Sequence, residues 1–215
     1  MQQRFSSKPY VLKWIEEGEH IQQDFKLRID DAKKIAKTIS AFSNTIGGKL
    51  LVGVKDNGQI AGVRQEEEEY HMMQWAAERY CKPPINLQFQ AWKVEDKIVL
   101  EVYVPEAPKK PVLAEIENQE WKAFLRDHDQ NIIAPSVMRD VWLIEENERP
   151  EKFYYSSKEQ LLLNELQIKD NTLSGLSRVT SIKRQVLQRI LAKLIRWEII
   201  EWYLVSGVAY FKLRD

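Results

Sequence analysis

The run ISAFSNTIGGKLLVGVKDNGQIAGV, from Ile39 to Val63, most narrows what this chain can fold into, because a helical pattern is cut off there and a strand begins within a few residues. Upstream, Ile35, Ala36, Ile39 and Phe42 recur at helical spacing behind Asp30 and Asp31, which predicts an amphipathic helix with an acidic N-terminal turn. Gly47-Gly48 stop it, since glycine takes the left-handed backbone conformation without steric cost, and KLLVGV follows as a near-continuous apolar strand. The helix is expected to pack on the sheet it feeds. Asp56-Asn57-Gly58 then supplies turn residues, so that residues 59–63 should return as the second strand of a hairpin.

Further along, Glu66 to Glu69 suit a helix start, and Met73, Ala76, Ala77 and Tyr80 continue a second helix up to Lys82-Pro83-Pro84. INLQFQAW and IVLEVYV alternate around residues 95–97 and predict an antiparallel pair. Short strands over 112–115 and 120–125 and a helix opened by Pro135-Ser136 complete a first module placed at residues 1–147. EENERPEKFYYSS breaks the periodicity, and a linker is placed at 148–157. Beyond it come helices over 158–168, near 173–178 and from 181 to about 196, then the strands EIIEWYLV and VAYFKL joined by Ser206-Gly207. Helix, helix, helix, hairpin is the order of a winged helix, here 158–215. The expected class is α+β, a mixed and mostly antiparallel sheet with helices, followed by a winged-helix domain.

Overall charge carries no information, because Lys+Arg and Asp+Glu are both 32. Its distribution carries more, with 11 Lys/Arg against 7 Asp/Glu in residues 151–215, which makes the C-terminal part the better partner for phosphate. A lone Cys81 with no CxxC or paired histidine points to a reducing compartment. The opening residues have no apolar signal region, and no window is apolar for long enough to cross a bilayer, so a cytoplasmic protein without a membrane partner is expected.

Within the 181–196 helix, Val186, Leu187, Ile190, Leu191 and Leu194 read as the buried stripe. That leaves Ser181, Lys183, Arg184 and Gln185 near its entry, and Arg189, Lys193 and Arg196 further on. Such groups suit phosphates and base edges, and a helix-turn-helix presents the start of this helix to the major groove. Trp197, Trp202 and Tyr203 suit a core or an interface equally well, and winged helices also serve as interaction and dimerisation modules. A protein-interaction scaffold and a homodimer therefore stay open beside nucleic-acid binding.

GEHIQQDFK, AFSNTIGGKLLVGV, KDNGQIAGV and FLRDHDQNIIAPS together resemble the signature of the Schlafen/AlbA-like DNA-binding domain family, over roughly residues 10–140. The resemblance implies a DNA-binding transcriptional regulator, as described for bacterial members with a C-terminal winged helix, with RNA as a second candidate partner and Lys26 and Arg126 as further nucleic-acid contacts. The match has departures. The family's EFK is Asp24-Phe25-Lys26 here, and Asp127-His128 stand where a glycine should follow Arg126. Some eukaryotic members cleave RNA with three acids, and the matching positions are Glu19, Asp24 and Asp56, which would hold Mg²⁺ or Mn²⁺ and activate a water. In the ordinary reading Glu19 is a surface acid, Asp24 pairs with Lys26 or Arg28, and Asp56 begins a turn.

Outside that nuclease alternative no cofactor is expected. No GxxxxGK[ST] loop supports ATP binding, and no serine or cysteine sits in a recognised nucleophile elbow. His20, His71 and His128 form no metal or general-base motif. Gly47, Gly48, Ser43 and Asn44 suit either a phosphate approach or a helix stop.

Overall fold

A computed structural model of the chain describes residues 9–145 and 155–214, and it divides into two compact units, Met1–Ile133 and Ala134–Asp215. The greater part of the expected linker, 148–154, lies outside the described residues. The division falls ahead of the helix Ser136–Glu145, which the sequence reading had placed in the first module.

The first unit is built on two four-stranded sheets. One contains β1 (Gln23–Lys26), β2 (Gly48–Val52), β4 (Gln88–Val94) and β5 (Lys97–Val104), in the order β1-β2-β5-β4. The other contains β3 (Cys81–Lys82), β6 (Leu113–Glu115), β7 (Trp121–Asp127) and β8 (Gln130–Ile133), in the order β3-β6-β7-β8. Every pairing is antiparallel except β1 with β2, which run parallel with Asp24 opposite Leu50.

The helices are α1 (Pro9–Glu17), α2 (Ala32–Asn44) and α3 (Glu66–Arg79). Asp31 caps α2 by accepting from the backbone N–H groups of Lys33 and Lys34, as an N-cap aspartate should. Ile35, Ile39 and Phe42 of α2 enter one core with Leu50, Val52, Val102, Val104, Met73 and Ala76. The other face of the first sheet packs Phe25, Leu51, Trp92 and Val99 against Val11, Leu12, Trp14 and Ile15 of α1. Burial on both faces explains why β2 reads as a near-continuous apolar run after Lys49.

The expected hairpin partner of KLLVGV does not form as a strand. The turn is there, with Gly58 at φ +80 and its N–H donating to the Lys55 carbonyl, but the return makes a single bridge, Val54 to Ile60. Both edges of β2 are already taken by β1 and β5, so residues 59–63 have no free edge of β2 to pair with.

In the second unit, α4 (Ser136–Glu145) is followed by α5 (Ser157–Ile168), β9 (Asn171–Thr172), α6 (Leu173–Thr180), α7 (Arg184–Arg196), β10 (Ile200–Val205) and β11 (Val208–Leu213). The strands form a sheet in the order β10-β11-β9, and Ser206 and Gly207 turn the hairpin at positive φ. Three helices leading into a hairpin with a short third strand is winged-helix architecture, here with α4 preceding it. Leu162, Leu166, Leu176, Leu187, Leu191, Leu194 and Phe211 are buried. Gln188 is buried too, and its amide donates to the Ser136 carbonyl and to Asp140 on α4.

Candidate nucleic-acid interface

The start of α7 is positioned by a tightly bonded turn. Thr172 caps α6 by accepting from the Gly175 N–H, the Ser177 hydroxyl donates to the Ile182 carbonyl, and the Thr180 hydroxyl donates to the Leu176 carbonyl. Ser181 takes the left-handed conformation at φ 54, and Ile182 is buried behind it. The helix therefore begins at Arg184, three residues later than the sequence pattern placed it, with Lys183 as its N-cap.

Ser181, Lys183, Arg184, Gln185 and Arg189 are all exposed, as the sequence reading required of a reading surface. Val186, assigned there to the buried stripe, is exposed as well, and Gln188 is buried in its place. The Arg184 guanidinium reaches back to the Ser174 hydroxyl at 2.9 Å, a contact with no signal in the residue pattern. Lys193 stands apart, since it is half-buried and its ammonium lies 3.0 Å from Glu159.

The electrostatics of this helix start are unusual. No acid occupies the first turn of α7 and Lys183 provides no side-chain cap, so two cations sit beside the unsatisfied N–H groups that make a helix N-terminus positive. Among the described residues, no carboxylate lies within ion-pairing distance of Lys183, Arg184 or Arg189. Like charges gathered there cost a few tenths to about 1 kcal/mol of helix stability, and the neutral Ser174 hydroxyl that Arg184 contacts leaves both charges in place.

Lys26 and Arg126 lie in the first unit and are differently placed. Arg126 is enclosed, with none of its side chain exposed. Its guanidinium donates to the Asn131 side chain at 2.9 Å and to the carbonyls of His20 and Gln23, stacks on Phe42 and lies 3.6 Å from Asp24. Burial lowers its pKa against the opposing pull of Asp24 and Glu19. That is a structural cation pinning the 20–24 segment to β7, which corrects its expected role as a phosphate contact. Lys26 keeps a third of its side chain exposed and pairs with Asp24 at 2.6 Å.

Of the three acids of the nuclease pattern, Glu19 and Asp24 lie side by side, and Asp56 does not join them. Glu19 accepts from the Phe25 N–H, and burial, with Asp24 nearby, raises its pKa. Asp24 is buried between Lys26 and Arg126, whereas Asp56 is exposed on the turn before Gly58. Among the described residues no group of three or more His, Cys, Asp and Glu side chains could hold a metal ion. Asp24 already faces Lys26 and Arg126, and without Asp56 beside it the three acids do not form the shared oxygen-ligand set that Mg²⁺ or Mn²⁺ would need.

In the AFSNT segment Asn44 serves the fold, whereas the Ser43 hydroxyl is buried without a hydrogen-bond partner among the described residues. The Asn44 amide donates to Val112 and Phe124 carbonyls and accepts from the Val112 N–H, while the Ser40 hydroxyl bridges the Val112 carbonyl and the Phe124 N–H. Thr45 accepts from the Arg126 N–H. The end of α2 is thus stitched to the second sheet. Gly48 has no room for a side chain, since a Cβ there would sit 2.4 Å from the Phe42 ring, so the glycine serves packing. At the turn where the glycine was expected, His128 adopts φ 55 and bonds Asp127 at 2.9 Å.

The model of the family described as Schlafen, AlbA_2 matches residues 19–135, more than half of the chain. The chain belongs to the Schlafen, AlbA_2 family. No curated protein matches it. Among solved structures, this family member is similar to the DIP2311 protein of Corynebacterium diphtheriae, with 15% identity and a TM-score of 0.45 over 80% of this chain. It spans only 32% of the length of that protein. The N-terminal domain of a RecG-related protein from Nitrosomonas europaea matches 68% of this chain and 93% of its own, with 20% identity and a TM-score of 0.42. The adhesin competence repressor AdcR of Streptococcus pyogenes matches 37% of this chain and 57% of its own, with 17% identity and a TM-score of 0.27. Among the described residues no helix is long and apolar enough to cross a membrane.

Proposed function

We propose that this Schlafen, AlbA_2 family member is a DNA-binding protein of the transcriptional-regulator kind, whose α7 presents Ser181, Lys183, Arg184, Gln185 and Arg189 to duplex DNA. The observation that carries the reading is the set of exposed cations at the α7 start, placed where they cost the helix stability and have no carboxylate partner. A local rule broken with no carboxylate to balance it is where function is to be sought. Helix-turn-helix geometry puts this end of the second helix against base edges, where Arg and Gln make bidentate contacts to guanine and adenine. Lys193, paired with Glu159, is left to support the fold.

The test is fluorescence anisotropy of labelled duplex DNA with the full chain at low salt. Wild type is expected to bind, and Lys183→Glu with Arg184→Glu is expected to weaken binding at least a hundredfold while circular dichroism stays unchanged, since both residues are exposed. Undiminished binding by the double variant rejects this face.

A further inference from the structure

Beside the start of α7 lies an open groove of about 540 Å³ that the family resemblance and the α7 face leave unassigned. It runs between the first turns of α5 and the α6–α7 turn, entirely within the second unit. Its lining combines two kinds of surface. Leu161, Ile182 and Val186 supply apolar carbon, and Leu161 and Val186 are exposed at 41% and 36%. Lys158 and Lys183 supply exposed ammonium groups, and no acidic residue lines the groove.

Glu159, the acid next to Lys158 in the chain, is turned inward. Glu159 is buried, accepts from the Ser156 N–H and hydroxyl in a capping box, and pairs with Lys193. Its charge is therefore spent inside the domain and does not cancel that of Lys158.

The geometry points to this groove as a seat for the sugar–phosphate backbone of a DNA strand, an inference that rests on the DNA-binding reading. A nucleic-acid backbone alternates anionic phosphate with the carbon face of deoxyribose, and the groove offers the complementary pair, lysines beside aliphatic side chains. The groove is also continuous with the reading surface, because Ser181 and Lys183 belong to both. Phosphate contacts of this kind fix orientation on the duplex without reading sequence. Lys158 and Leu161 thereby join the interface as positioning residues, though neither lies on α7.

The experiment is the same anisotropy titration on the full chain, repeated across a salt series, with Lys158→Ala and Leu161→Asp. Both side chains are exposed, so folding is expected to survive, and melting curves check it. Lys158→Ala is expected to weaken binding by roughly three- to tenfold and to make the log–log salt slope shallower by about 0.9, the value of one lost phosphate contact. Leu161→Asp is expected to weaken binding by about tenfold, through repulsion of phosphate and loss of the apolar seat. If both variants keep wild-type affinity and slope while the Lys183/Arg184 variant loses binding, the groove proposal falls and the DNA-binding reading stands. If wild type binds no duplex at any salt, both fall. A rise in melting temperature on adding octanoate, absent with octanamide and lost in Lys158→Ala, combined with unchanged DNA affinity of that variant, assigns the groove to amphipathic carboxylates and overturns the proposal.

Discussion

Arg126 shows how a residue that looks functional in a motif can be structural. Its guanidinium satisfies the carbonyls of His20 and Gln23 and the Asn131 side chain, and it stands beside the buried Asp24 carboxylate. Removing one member of such a cluster leaves the others buried without partners, which costs more than the pair contributes net. Arg126→Met is therefore expected to destabilise the first unit by about 3–5 kcal/mol. The double variant Asp24→Asn with Arg126→Met should recover part of that loss, because the buried carboxylate that Lys26 alone would then have to balance is gone as well. Urea denaturation followed by fluorescence reads both values, and a loss below about 1 kcal/mol for the single variant would make the cluster incidental. Little of this was legible beforehand. QDFK has one apolar residue in four, so the hydrophobic pattern that marks β2 could not mark β1, whose burial comes from parallel pairing and from an arginine more than a hundred residues later.

Elements whose determinants are local were read from the sequence, and those stabilised at long range were not. The α2 helix, the β4–β5 hairpin, α7 and the wing each carry their own periodicity and turn residues. The polar residues at the end of α2 do not, because the partners of Ser40 and Asn44 lie 68 to 84 residues away. The hairpin expected after β2 failed for a related reason, since a local turn signal does not reveal that both strand edges are occupied.

For α5 the capping arrangement makes a pH prediction. Burial alone would raise the Glu159 pKa, but hydrogen bonds from Ser156 and Lys193 outweigh it and hold the carboxyl below its ordinary value of 4.5. A lowered folded-state pKa means that the carboxylate stabilises the fold fully above the ordinary value and loses that contribution as pH falls below 4.5 through the folded value. Glu159→Gln is expected to cost about 1–2 kcal/mol at neutral pH, and the difference from wild type should shrink once the wild-type carboxyl is protonated. Denaturation midpoints at neutral pH and well below 4.5 measure it, and a difference that stays constant with pH would refute the assignment.

At the scale of the whole molecule, 32 cationic and 32 anionic side chains leave no net charge to draw the chain toward a polyanion. The proposed attraction to DNA would then have to come from where the cations stand, and the residue counts show only a modest surplus in the C-terminal part. The fold sharpens that surplus by turning Glu159 inward and pairing Glu201 with Lys212 and Glu198 with Arg214, while Lys158, Lys183, Arg184 and Arg189 stay exposed. If these four each neutralise one phosphate, the log–log salt slope is about −3.6, so affinity should fall about a hundredfold for a fourfold rise in salt. Lys183→Ala with Arg184→Ala removes two of the contacts and should bring the slope to about −1.8. A flat titration would mean that the exposed cations face no phosphate, and would favour the protein-interaction scaffold over DNA binding.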